Sequence, residues 1–211
     1  MNKASANRLS VACGGLSAYD IVWQRGFGAI SDELLKLGFG ERKACIVTDS
    51  NVAPLHLDSL VQAIRPVFKE VTVYQFPAGE VHKNLDTVRG LYTHLIESSF
   101  ERKDCLVALG GGVVGDLTGY AAATYLRGIR FIQVPTSLLA MVDSSIGGKT
   151  GVDFVGYKNM VGAFYQPSLV YMNLSVLLTL NDREYLSGMG EIIKHGLIRD
   201  AEYYHWLSLH R

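Results

Sequence analysis

Three glycine-bearing segments of this 211-residue chain hold the residues most able to do chemistry. The first, GGGVVGD from Gly110 to Asp116, sets Gly110, Gly112 and Gly115 in GxGxxG spacing, after the apolar run CLVAL and before a helical pattern. In that setting glycine lets the backbone approach a pyrophosphate, and the free N–H groups and dipole of the helix start stabilise its charge. A glycine-rich turn that binds nothing is the alternative. A dinucleotide site of the common dehydrogenase type would also place an acidic ribose ligand ~20 residues further on. That region reads Arg130-Phe131-Ile132-Gln133, and the best acidic residue is instead Asp49, at the end of an earlier apolar run. The strand order is therefore expected to differ from that of the common dehydrogenases.

The second segment is DSSIGGKTG, Asp143 to Gly151. Its GGKT resembles the end of a phosphate-binding P-loop, but the full pattern needs glycine where Asp143 stands. What remains is Lys149 as a point positive charge beside flexible backbone, suited to a phosphate or a polarised oxygen, or else a solvated surface lysine. Asp143, Lys158 and Asn159 nearby favour the first use. In the third segment, GMGEIIKHG, Glu191, Lys194 and His195 fall at i, i+3 and i+4 on one helical face. A carboxylate and an imidazole so spaced could share a metal, yet two ligands from one helix do not complete a site. An ion pair beside a capping histidine is the simpler reading of these residues alone. His56, His82, His94, His205 and His210 stand singly and suggest no metal constellation.

The elements that must position these residues alternate. RLSVAC and YDIVWQ read as one or two edge strands, and ISDELLKLG as a helix ended by Gly38. ACIVTD, VTVYQF, CLVALG, RFIQVP and LVYMN read as strands. NVAPLHLDSLVQAIR, NLDTVRGLYTHLIESSF and VVGDLTGYAAATYL read as helices between them. Short β-branched runs alternating with helices imply an α/β doubly wound, mostly parallel sheet. Thr136 to Gly162 shows little period and is expected to form loops and short helices. From Asp182 onward the chain is helical in character.

Composition narrows the functional classes. Apolar residues make up 48% and charged residues 19%, with 20 Lys+Arg against 20 Asp+Glu, so there is core material but no basic excess for nucleic acid or anionic lipid. Glycine stands at 22 with only 5 prolines, as tight turns and close backbone–ligand approach require. Cys13, Cys45 and Cys105 are odd in number and far apart, which suits reduced, buried thiols in the cytoplasm. No apolar stretch reaches the ~18 residues that span a bilayer, and the N-terminus lacks a signal-peptide core. The Asn173-Leu174-Ser175 sequon is therefore read as chance.

Together the segments are more specific than any one alone. The run from GGGVVGD through DSSIGGKTG, GYKNMVGAFYQP and SGMGEIIKHG resembles the 3-dehydroquinate synthase family of sugar-phosphate cyclases, from about Tyr19 and most densely from Cys105 to Asp200. The resemblance implies an NAD-dependent, metal-assisted carbon–oxygen lyase that converts 3-deoxy-D-arabino-heptulosonate 7-phosphate to dehydroquinate and phosphate in the shikimate pathway. Transient oxidation of a ring hydroxyl acidifies the neighbouring C–H, phosphate leaves, and the hydride returns. By the same resemblance Asp49 and Asn51 hold the adenosine side of NAD, and Gly79, Glu80 and Lys83 line the dinucleotide. Gly112, Val113, Val114, Gly115 and Asp116 cradle the pyrophosphate, while Thr136, Ser137, Lys149, Lys158 and Thr179 complete the nicotinamide side. Asp143, Lys149, Asn159, Lys194 and Arg127 match substrate-contacting positions, Arg127 from a neighbouring subunit of a homodimer. Glu191 matches the first ligand of zinc or cobalt, with His195 not the implied partner.

Some positions depart from the family pattern. Ser137 replaces the second of two threonines, Asn181 stands where proline is usual, and Asp153 where asparagine follows KTG. The resemblance also implies two histidine metal ligands in a later helical domain. Residues 1–173 are thus expected to form the NAD-binding α/β domain and 174–211 the beginning of the helical one. On this reading the 211 residues alone bind NAD without turnover. Another cyclase, such as a 2-deoxy-scyllo-inosose synthase, and a non-catalytic NAD-binding fragment are the competing readings.

Overall fold

The computed structural model describes residues 7–210. A seven-stranded sheet runs in the order β1-β2-β9-β6-β5-β3-β4. Its strands are β1 (Arg8–Cys13), β2 (Leu16–Gln24), β3 (Lys43–Asp49), β4 (Glu70–Phe76), β5 (Cys105–Gly110), β6 (Arg130–Pro135) and β9 (Leu169–Asn173). Only the β1–β2 pairing is antiparallel; every other pair in this sheet is parallel. Of the two strands expected at an edge, β1 is one. β2 lies inside, paired to β9 from Asp20↔Leu169 to Gln24↔Asn173, because Ile21 and Val22 are as buried as any core strand requires.

Alternate residues of the central strands feed two cores. Ala44, Ile46, Val107 and Leu109 join Ile30 and Leu34 of helix α1 (Ile30–Lys36) and Leu60 and Ile64 of α2 (Asp58–Ile64). Cys45, Val47, Leu106 and Ala108 face the other way. They pack on Val88, Leu91 and Leu95 of α3 (Leu85–Glu97) and on Val114, Leu117 and Ala121 of α4 (Gly112–Thr124). Strands with both faces buried explain the near-continuous apolar runs of the sequence. The expected end of α1 is observed: Gly38 has φ 72 and its N–H donates to Leu35 O at 2.9 Å. Cys45 and Cys105 are buried thiols, whereas Cys13, on the edge strand, is exposed.

From β3 the chain winds through α2 to β4 at the edge, then returns through α3 to β5 on the other side of β3. Counted from β3, the parallel strands stand in the order 2-1-3-4-5 rather than that of the common dehydrogenases, as the position of Asp49 implied. The winding reverses between β3 and β5. A crevice must open there, beyond the carboxyl ends at Asp49 and Gly110.

The stretch expected to be loops and short helices is corrected. After a π-helical turn at Ala140–Ser144 the chain forms an antiparallel hairpin, β7 (Lys149–Phe154) and β8 (Tyr157–Phe164). Its two-residue turn, Val155-Gly156, has φ 48 and 83, both left-handed, as the commonest two-residue hairpin turns require. Asn or Asp before glycine is the usual signal, and Val155 hides it. Two further helices follow, α5 (Asp182–Arg199) and α6 (Ala201–Leu209). Asn181 caps α5 by accepting Glu184 N–H at 3.0 Å, a side-chain cap that the proline implied by the resemblance would not offer.

Candidate functional site

The crevice at the strand reversal is a cleft of ≈ 550 Å³. Asp49 leads into it from β3. One carboxylate oxygen accepts the N–H groups of Asn51 and Val52 at 2.8 and 2.9 Å, a turn that sets both residues on the cleft wall. Opposite, α4 begins at Gly112 with no side-chain cap, so its first N–H groups face the cleft unmasked beside Gly111 and Val113. Thr136 N–H donates to Gly110 O at 2.9 Å, carrying Thr136 and Ser137 to the same wall. Gly79, Glu80, Lys83, Asp116 and Thr179 complete it.

Two residues expected in the cradle also serve the packing, and neither lines the cleft with its side chain. Val114 is fully buried in the core, and Gly115 lies against the sheet, where a Cβ would stand 2.7 Å from Gln133 Oε1. The last glycine of GxGxxG thus allows helix and strand to approach, and Gly112 alone of the three lines the cleft.

Asp116 also lines a second cleft, of ≈ 570 Å³, with Asp143, Ser144, Lys149, Thr150 and Asn159. The two spaces therefore meet at this carboxylate. Lys83, 4% exposed, donates at 2.6 Å to both Asp116 Oδ2 and Asn159 Oδ1, so one buried ammonium ties a residue of each cleft. Burial pushes the Asp116 carboxyl above its ordinary value, and the Lys83 charge opposes that shift. Lys158, at the start of β8, pairs with Glu80 at 3.3 Å and lies outside both linings.

Asp143 stands on the π-helical turn packed against α5. At that contact Gly188 is required: a Cβ there would lie 2.6 Å from Leu138 Cβ and 2.7 Å from Leu139 N. About one and two turns further along α5, Glu191 and His195 bring their ligating atoms and those of Asp143 within 4.8 Å of one another. His195 Nε2 lies 3.3 Å from Glu191 Oε1, nearer than the resemblance implied. The Lys194 ammonium pairs with the same carboxylate and holds it below its usual range. Nitrogen and carboxylate donors of this kind suit zinc or cobalt, provided Lys194 gives way.

Arg127 is not brought to either cleft. It follows the carboxyl end of α4, a 13-residue helix of ~20 Å that begins at the cradle. Leu126 and Arg127 have φ 50 and 68, a costly conformation for side chains of this size, which turns an exposed arginine outward.

His56 escaped sequence reasoning. On the wall of the first cleft, its Nε2 meets Thr179 Oγ1 at 2.9 Å, and that hydroxyl donates to Val176 O at 2.8 Å. With its one proton so committed the hydroxyl accepts, and His56 carries the hydrogen on Nε2. Burial keeps the imidazole pKa below 6.5. The partners lie 123 residues apart, beyond any spacing signal. Asn173 of the sequon is buried and accepts Gly26 N–H at 2.7 Å and Ser175 N–H at 3.0 Å, a structural use. Among the described residues no helix is long and apolar enough to cross a membrane.

Known proteins resemble this chain in sequence and in fold. Residues 73–187 match the family model for the 3-dehydroquinate synthase N-terminal region. A 3-dehydroquinate synthase of Acetivibrio thermocellus is 52% identical over 166 residues, 79% of this chain and 46% of that protein. The crystal structure of 2-deoxy-scyllo-inosose synthase complexed with carbaglucose-6-phosphate, NAD+ and Co2+ superposes with a TM-score of 0.80 at 28% identity, over 85% of this chain and 48% of that one. A 2-epi-5-epi-valiolone synthase from Streptomyces hygroscopicus subsp. jinggangensis with NAD+ and Zn2+ gives 0.79 at 30% identity, over 92% of this chain and 53% of its own. The chain spans about half the length of the curated relatives it matches.

Proposed function

Since the chain belongs to the 3-dehydroquinate synthase family, we propose that it is the NAD-binding part of an enzyme that eliminates phosphate from 3-deoxy-D-arabino-heptulosonate 7-phosphate and closes the ring of dehydroquinate. One observation carries the reading: a cleft suited to a dinucleotide meets, at Asp116, a second cleft that holds Asp143, Lys149 and Asn159. The proposed division follows the chain, with residues 1–173, through β9, as the NAD-binding unit and 174–211 as the start of a helical one.

In this reading Asp49 accepts ribose hydroxyls, and the N–H groups at Gly112 and Val113 receive the pyrophosphate. Asn51, Gly79, Glu80, Thr136, Ser137 and Thr179 line the bound dinucleotide, with Lys83 holding Asp116 in place. Lys149 and Asn159 face the phosphorylated sugar acid together with Asp143, and Lys194 contributes from α5. Glu191 is the first metal ligand, and Asp143 and His195 stand within reach of the same ion. When bound, NAD supplies a hydride acceptor and a divalent ion an electrophile for the substrate oxygens. Arg127, exposed and remote from its own clefts, is assigned to the partner's site in a homodimer.

A cytoplasmic location is part of the proposal, supported by three free cysteines. The related cyclases keep a specificity alternative open, and 52% identity to a 3-dehydroquinate synthase against 28% to a 2-deoxy-scyllo-inosose synthase favours the first substrate. Titration of the chain with NAD tests the cofactor reading. Saturable binding that Asp49→Ala weakens is expected, and no binding up to millimolar NAD overturns it. Assay of the full-length protein with both sugar phosphates tests the substrate. The 211 residues alone are expected to release no phosphate, because they do not hold the two histidine metal ligands that the resemblance implies, and catalytic zinc uses three protein ligands.

A further inference from the structure

The hairpin β7–β8 is held to the cofactor cleft by a residue with no role so far. Asp153 lies where the β7–β8 register shifts, between Val152 and Phe154. Its backbone N–H donates to Lys83 O at 2.8 Å, and its Oδ1 accepts the backbone N–H of Asn159 at 2.8 Å. Asn159 has φ 57, the left-handed region, where asparagine is tolerated when its backbone is held. So placed, its side-chain Oδ1 reaches the Lys83 ammonium at 2.6 Å. An ammonium only donates, so the oxygen of the amide must face Lys83. The two Nδ2 hydrogens are then left for whatever fills the second cleft, which Asn159 lines.

We propose that Asp153 is a positioning residue: by holding the left-handed backbone of Asn159 it fixes the Lys83–Asn159 contact and aims the Asn159 amide N–H groups at an oxygen-rich ligand in the second cleft. Without this acceptor, Asn159 relaxes toward an ordinary strand conformation and Lys83 turns wholly onto Asp116. The added negative charge of Asp153 is spent on a backbone N–H rather than on the ligand. Asparagine would offer the same kind of acceptor through its carbonyl oxygen. The inference rests on the proposed function only for the identity of the ligand.

The test compares Asp153→Ala with Asp153→Asn, each alone and combined with Asn159→Ala, in the 211-residue chain. The first readout needs no ligand: the 15N signal of the Lys83 ammonium, which burial should protect from exchange. Asp153→Ala is expected to shift or broaden it, Asp153→Asn to preserve it, and Asp153→Ala to add nothing once Asn159 is alanine. The second readout is affinity for 3-deoxy-D-arabino-heptulosonate 7-phosphate in the presence of NAD, expected to fall about tenfold in Asp153→Ala, as one lost hydrogen bond would cause, and less than about twofold in Asp153→Asn. A merely structural role would lower thermal stability equally in both Asn159 backgrounds. An unchanged Lys83 signal in Asp153→Ala, or equal damage from both substitutions, overturns the proposal. Failure of the unsubstituted chain to bind NAD would instead count against the functional reading, while the Lys83 signal would still decide the role of Asp153.

Discussion

Gly119 sets how closely the hairpin can lie on the cradle helix. It sits mid-way along α4, and a Cβ there would stand 2.4 Å from Thr150 Cγ2 and 3.1 Å from Phe131 Cζ. Carbon atoms prefer ~3.5–4.0 Å, so the Gly119→Ala methyl must displace β7 by a large part of that deficit. Overpacking of a well-filled core costs ~1–3 kcal/mol, while alanine in place of glycine returns ~1 kcal/mol of helix propensity. A contact of 2.4 Å puts the overpacking cost in the upper part of that range, ~2–3 kcal/mol, so a net loss of ~1–2 kcal/mol follows, which for a chain of this size lowers Tm by about 2–8 °C.

The offending atom can be removed. Thr150→Ser deletes Cγ2 but keeps the hydroxyl that donates to Ala163 O at 2.7 Å. Alone it should cost ~1 kcal/mol for one buried methyl. Combined with Gly119→Ala it should cost less than the sum of the two, with a coupling of about 1 kcal/mol or more. Urea unfolding of the four proteins measures that coupling directly. Because Lys149 adjoins Thr150, Gly119→Ala should also weaken ligand binding in the second cleft, and Thr150→Ser should restore part of it. Strict additivity, or a Gly119→Ala protein as stable as the original, would refute the steric argument.

Other perturbations address separate parts of the site. His56 is held neutral by burial, with its pKa below 6.5. Falling pH protonates the unfolded chain first, so its stabilisation is complete above about 6.5 and drains away as pH falls below that value. The Tm gap between the unsubstituted chain and His56→Gln should therefore shrink between pH 7.5 and 5.5, and a constant gap would contradict this. Val155→Asn should stabilise the hairpin by ~0.5–1 kcal/mol, since asparagine accepts the left-handed backbone that valine resists; the urea midpoint should rise. Gly188→Ala drives a methyl against the backbone N of Leu139, which cannot rotate aside. Zinc affinity at the Asp143, Glu191 and His195 cluster should fall at least several-fold, and calorimetry showing equal affinity would sink that account.

What the sequence discloses depends on whether a residue's role is local. The runs ACIVTD, CLVALG and RFIQVP announced parallel strands because both faces of each are buried, and GGGVVGD announced a cradle because strand, turn and helix are contiguous. Asp49 was legible as the last residue of an apolar run. The hairpin was not. Its turn carries Val155, and Tyr157, Met160 and Phe164 are large apolar side chains exposed on β8, so the polar–apolar alternation that marks a half-buried strand is missing. His56 with Thr179, and Lys83 with Asp116 and Asn159, are brought together only by the winding of the sheet. Asp153 shows in the sequence only as a departure from the family pattern, and its acceptance of the Asn159 N–H appears only once the hairpin is folded. Val114 and Gly115 show a related limit: the motif names contiguous residues, while helix geometry turns only some of their side chains toward a ligand.

The placement of Asp116 answers an electrostatic difficulty. A carboxylate near the amino end of α4 would repel the phosphate that the free N–H groups there attract. Lys83 lies 2.6 Å from it and only 4% exposed, so the pair contributes little net charge to the cleft. Breaking such a buried pair from one side leaves an uncompensated charge and costs ~3–5 kcal/mol. The helix amides therefore act as the local attraction for an anion, with Lys149, for which no ion pair occurs among the described residues, as a positive charge lining the adjoining cleft. Attraction then comes from fixed dipoles on one side of Asp116 and from an exposed ammonium on the other. In the proposed function, the diphosphate of NAD would suit the first, and the phosphate to be eliminated would suit the second.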